Sequence, residues 1–145
     1  MSQLKLVALD EEDLAIVSAH VQDAVLKVAD LAFLPADKRF VVAMNRFVWE
    51  NKRGLFSRQH ERRRSVLHFE NVRAVRISGF KREAGDDVLS LLALRFDAGS
   101  EAPAGTIELT CSGGAAIQLD VGYVEARLSD LGAAWETSAL PRHAG

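Results

Sequence analysis

With 145 residues, 48% of them hydrophobic and 26% charged, and a mean hydropathy near zero, the chain has the make-up of one folded domain, not of a disordered or fibrous polypeptide. No apolar run approaches the ~20 residues of a membrane-spanning helix, and MSQLKLVALDEED reaches its acids too soon to predict a signal peptide. A formal charge of −2 argues against a dedicated polyanion binder, and Cys111, the one cysteine, rules out an internal disulfide and suits a reducing cytoplasm.

Leu4, Leu6 and Ala8 alternate with Lys5 and Val7, as in a short edge strand. Asp10 then precedes Glu11, Glu12 and Asp13. It can accept from a first-turn amide while those acids complement the positive helix end, and Leu14, Val17 and Val21 mark a helix from about Glu11 to Val21. His20, near the end of that helix, suits its dipole. Val25–Leu34 and Phe40–Trp49 read as the two strands of a hairpin, with Pro35 and the polar residues after it as the turn. Phe40, Val42, Met44 and Val48 alternate with Val41, Ala43, Phe47 and Trp49, so the second strand is predicted to lie mid-sheet with both faces covered.

Glu50 to Arg64 shows neither strand nor helix period and is expected to be a long connection. Leu67 and Phe69 alternate with Val66, His68 and Glu70. After Asn71 the run from Val72 to Phe80 reads as another strand, and the two form either a tight hairpin or one bent strand. Residues 81–87 make a polar turn. Val88–Phe96 is apolar on both faces and reads as an interior strand, a helix being the weaker reading, and Asp97–Gly105 is a surface loop. Ile107, Leu109 and Cys111, then Ile117, Leu119 and Val121, alternate with polar or small residues around Ser112-Gly113-Gly114, which defines a hairpin. Val124, Leu128, Leu131 and Trp135 fall at i, i+4, i+7 and i+11, the stripe of a C-terminal amphipathic helix that Gly132 ends or kinks. Residues 1–137 are therefore expected to form a single globular domain, with 138–145 as a flexible tail.

This order predicts an α+β protein, mainly antiparallel, whose sheet curls into a barrel or splits into a sandwich. A barrel plugged by its last helix would be pleckstrin-homology-like, with an added N-terminal strand and helix. The segments ALDEEDLAIVSAHVQDAV, DLAFLPADKRFVVAMNRFVWE and LDVGYVEARLSDLGAAWE resemble a family of small bacterial proteins catalogued only as a domain of unknown function. The resemblance spans nearly the whole chain and is most specific at LAFLP and NRFVWE. It implies a single-domain cytoplasmic protein, and no activity or catalytic residue.

The residues themselves supply no catalytic motif. His20, His60, His68 and His143 show no H-x-x-x-H spacing and no pairing with cysteine, so no metal or cofactor is expected. Cys111 belongs to the apolar face of its strand, and Ser112 lacks the G-x-S-x-G context of a nucleophile. Asp86-Asp87 and Glu11-Glu12 read as solvated acids, and Gly113-Gly114 is too short for a phosphate loop.

The charge distribution is more informative than its sum. Residues 1–37 carry two basic against seven acidic side chains, residues 38–82 thirteen against three, and residues 83–145 three against ten. The basic middle includes Lys52, Arg53, Arg58, Arg62, Arg63 and Arg64, with Phe56 among them as an aromatic that could anchor a partner. Arg46, flanked by Asn45 and Phe47, needs a counter-charge if it is buried, and Asp23, Asp30 and Glu50 are the acids nearby in sequence. These eight residues are the candidate contact or anion-binding set, with no catalytic assignment. The expected function is a non-enzymatic binding module that meets a protein partner or a second copy of itself. The alternatives are action on a small anionic ligand or weak nucleic-acid binding, or a basic middle that merely balances the acidic ends.

Overall fold

The computed structural model describes residues 4–49 and 60–131. Strand β1 (Lys5–Ala8) leads to helix α1 (Glu11–Val21), then β2 (Ala24–Lys27), β3 (Leu31–Leu34) and β4 (Arg39–Trp49). After the connecting residues come β5 (His60–Phe69), β6 (Val72–Ser78), β7 (Val88–Ala98), β8 (Gly105–Cys111), β9 (Ala116–Val121) and β10 (Ala126–Asp130). All form one antiparallel sheet in the order β1-β10-β5-β4-β2-β7-β8-β9-β6, with β3 beside β4.

The helix follows its sequence signals. Asp10 accepts from the Asp13 amide at 2.8 Å, three acids fill the first turn, and Leu14, Val17 and Val21 are buried. It packs against β7, β1 and β4, strands well separated in the sheet order, so it lies within the curl. Ser18 fixes it there by accepting from the Leu94 amide through Oγ at 2.9 Å.

The hairpin around Pro35 forms, but its first arm is broken. A 3-10 turn at Val28–Asp30 separates β2 from β3, held by the Lys27 amide donating to the Asp30 carboxylate at 3.1 Å. β2 then pairs with β7 and, at Val25, with β4, whereas β3 pairs with β4 alone among the described residues. β4 is interior, as its sequence predicts, yet only one of its faces is core. Phe40, Val42 and Met44 are at most 3% exposed, while Val41, Ala43 and Phe47 on the other face are half-buried.

β7 is a strand throughout, with a bulge between Leu91 and Ala93. The extra residue explains why Leu89, Leu91 and Leu94 all face inward while Leu92 is 40% exposed. The β8–β9 hairpin turns as expected at Ser112–Gly114, where Gly113 and Gly114 take φ of 70° and 80°.

β5 and β6 are neither a hairpin nor one continuous strand. Only Glu70 and Asn71 separate them, yet β5 lies between β10 and β4 while β6 ends the order beyond β9. The chain turns this corner at Asn71, φ 61°, and the sheet curls so far that its last strand returns to the start of β4. The Val72 amide donates to the Lys38 carbonyl at 2.9 Å, and Gly122 donates to that of Asn71 at 3.1 Å. No ladder joins β6 to β3 among the described residues, so the antiparallel sheet expected to form a barrel or a sandwich is curled but not closed into a barrel.

The C-terminal expectation also changes. Residues 126–130 form β10, between β1 and β5, in place of the first part of the expected helix; the stretch from Gly132 onward, including Trp135 and the tail, lies outside the described residues. Ala126, Leu128 and Asp130 face inward with period two.

Candidate functional site

β4 and β5 pair over ten positions, from Phe40↔Phe69 to Trp49↔His60, and this long hairpin carries most of the candidate residues. β5 begins at His60, so Arg62, Arg63 and Arg64 lie within a paired strand and not in the predicted connection. Lys52, Arg53, Phe56 and Arg58 lie outside the described residues.

Strand alternation divides the arginines. Arg46 follows Met44 on the inner row and is 5% exposed. Its Nε and Nη2 donate to the two carboxylate oxygens of Asp130 at 2.9 and 2.8 Å, and Ser65 Oγ donates to Oδ1 of the same group at 2.6 Å. The Leu4 amide, just before β1, adds a bond to Oδ2 at 3.1 Å, so this residue, β4, β5 and β10 meet on one carboxylate. Burial alone would push the pKa of Asp130 up. Hydrogen bonds from Arg46, Ser65 and Leu4, with the Arg46 charge, outweigh burial and hold it below the ordinary value. A buried bidentate pair of this kind ties strands together and leaves Arg46 poorly placed to meet a ligand.

Arg63 stands opposite Arg46 in the register, half-buried. Arg62 and Arg64 fall on the outer row. Arg64 reaches Asn45 Oδ1 at 3.3 Å and the Asp30 carboxylate at 3.6 Å. Arg62 is exposed, with its guanidinium 5.9 Å from the centre of the Phe47 ring. The structure thus gathers Arg46, Arg62, Arg63 and Arg64 on one strand pair, and sends them to opposite faces.

The acids answering the basic middle come partly from its flanks: Asp30 for Arg64, Asp120 for Arg76 at 2.8 Å, and Asp130 for Arg46. The acids that open α1 serve their own helix end.

A second polar site was not legible from any motif. At the other end of β5, a hollow of about 650 Å³ is walled by Lys5, Arg39, His68, Glu70, Glu125 and Arg127. His68 donates through Nδ1 to Glu70 at 2.7 Å, and Arg39 Nε donates to both oxygens of that carboxylate at 2.9 and 3.2 Å. Burial raises the pKa of Glu70, but the bonds from His68 and Arg39 and their charges lower it by more. Arg127 pairs with Glu125 at 3.2 Å. Cross-strand alternation was the available signal, since His68 and Arg127 face each other in the register.

Cys111 is buried, which pushes its thiol pKa up to about 11 and leaves it protonated and inert. Among the described residues, no three His, Cys, Asp or Glu side chains could share a metal ion, and no helix is long and apolar enough to cross a membrane.

The fold and these sites define a class: an open, curled antiparallel sheet with one helix, bearing charged surface clusters. The chain belongs to the family described as protein of unknown function DUF2948, whose pattern it matches over residues 4–143. No curated protein and no solved structure matches it.

Proposed function

We propose that the protein is a non-enzymatic binding module whose contact surface is the basic end of the β4–β5 hairpin. The observation that carries this reading is the contrast on that hairpin. Arg46 and Arg64 are engaged by Asp130 and Asp30, while Arg62 is exposed beside the Phe47 ring. The adjoining sequence adds Lys52, Arg53, Phe56 and Arg58 without an excess of acids, and a basic sequence with an aromatic residue suits a partner-binding surface. An acidic protein surface is the partner that such a patch fits.

The test is capture from nuclease-treated extract by the tagged protein and by its Lys52→Glu, Arg53→Glu, Arg58→Glu, Arg62→Glu variant. Arg46 and Arg64 are kept so that their ion pairs survive. A defined set of proteins held by the wild type and lost by the variant, with circular dichroism unchanged, is expected. Equal capture by both contradicts the reading, and capture seen from untreated extract but absent after nuclease treatment makes the partner a nucleic acid.

The hollow favours a second reading, binding of a small anion. Lys5, Arg39, Arg127 and His68 line it, although Glu70 and Glu125 offset part of that charge. Phosphate titration followed at the His68 ring protons decides it: a saturable shift supports the reading, and none rejects it.

A further inference from the structure

The open seam of the sheet is itself a cavity. β3 and β6 face each other without pairing, and between them lies a space of about 280 Å³. Leu31 and Phe33 line it from β3, Val75 and Ile77 from β6, with Phe40 and Phe80. The paired strands β8 and β9 bury their inward residues completely, as at Ile107, Leu109, Ile117 and Leu119. The inward residues of β3 and β6 pack on the same core yet stay half-buried. This is a core left incomplete on one side. Arg82 is the single charged residue of the lining; it is exposed, so it stands at the mouth, and no described carboxylate pairs with it.

We propose that this seam binds a small apolar monocarboxylate, its chain among Leu31, Phe33, Val75 and Ile77 and its carboxylate at Arg82. Size fixes the class. A dry cavity of about 150 Å³ accommodates benzene, so 280 Å³ corresponds to roughly eleven heavy atoms, the bulk of a medium-chain fatty acid. Sites of this kind combine apolar walls with a few polar groups that fix orientation.

Titration calorimetry with sodium decanoate, supported by amide chemical shifts, tests this. Binding at one site is expected, with shifts centred on residues 31–33 and 75–77. Affinity should rise about fourfold per methylene from hexanoate to decanoate and then level off as the space fills. Decyltrimethylammonium, with the same chain and the opposite charge, should bind several-fold more weakly. Arg82→Ala should erase that preference at a cost of up to about fivefold for decanoate, the range of an exposed ion pair. Val75→Trp fills the space and should reduce binding of both probes at least tenfold; Ala32→Trp, at an exposed position of the same lining, serves if Val75→Trp does not fold. Any of three results overturns the proposal: no saturable binding of decanoate, affinity still climbing at hexadecanoate, or shifts centred on the Lys5–His68 hollow. A strand-binding edge would give the first of these.

Discussion

Asp130 shows how one carboxylate can hold a sheet together. It accepts from Arg46, Ser65 and the Leu4 amide while almost fully buried, so removing it strands a buried guanidinium. Asp130→Ala should cost about 3–5 kcal/mol in urea unfolding, whereas Arg46→Met with Asp130→Leu, which removes both charges, should cost far less than the single change. The folded-state pKa of Asp130 lies below the ordinary carboxylate value. Its stabilisation is therefore fully present above the unfolded value of about 3.9 and is lost as pH falls through the lower, folded one. The gap in stability between wild type and Asp130→Asn should be wide at pH 7 and should shrink progressively as pH falls below about 3.9; a gap that does not shrink would show that the carboxylate charge is not what matters. The need for a partner at Arg46 was legible, because a charge in an apolar row must be answered. The identity of the partner was not, since Asp130 lies 84 residues away and no local pattern links them.

At the scale of elements, the segment after Val124 shows where periodicity alone fails. Val124, Leu128 and Leu131 fit a helix stripe, but Ala126, Leu128 and Asp130 fit a strand equally well, and the open edges of β5 and β1 on either side decide between them. Ala126 separates the two: a helix stripe leaves it outside, whereas the strand buries it completely. Ala126→Leu should therefore destabilise by about 1–3 kcal/mol through overpacking, and Arg127→Ala, on the exposed row, by under about 0.5 kcal/mol. Equal, small effects would contradict the strand. The predicted arm Val25–Leu34 failed because its apolar residues on both sides of Lys27 and Asp30 were read as one run, although the Asp30 carboxylate holds the turn at which β2 leaves for β7 while β3 stays on β4. Signals that act within a few residues were read correctly, as with Asp10 capping α1 and the glycines at the β8–β9 turn. Gly79, read as part of the strand Val72–Phe80, instead lies just past the end of β6 at Ser78. It has φ of 80°, and a Cβ there would lie 2.3 Å from the Gly114 carbonyl oxygen, so Gly79→Ala should lower stability by at least about 2 kcal/mol in the same assay.

For the whole molecule, the uneven charge along the chain resolves into two parts. Some of the basic middle folds against acids of the ends, as Arg46, Arg64 and Arg76 show, whereas Arg62 is exposed. Barrel closure could not be settled from strand count, because it depends on whether β6 reaches β3, a distance set by the Asn71 corner and the turn between β2 and β3. The proposed contact surface of Arg62 and the adjoining basic sequence bears most directly on function. Light scattering of the purified protein at low and high salt, with and without RNA, tests it most directly. A mass that RNA leaves unchanged at either salt is the result expected of a surface built for an acidic protein partner. A mass that rises with RNA at low salt and falls back as salt is added would contradict this account and make the basic surface a polyanion site.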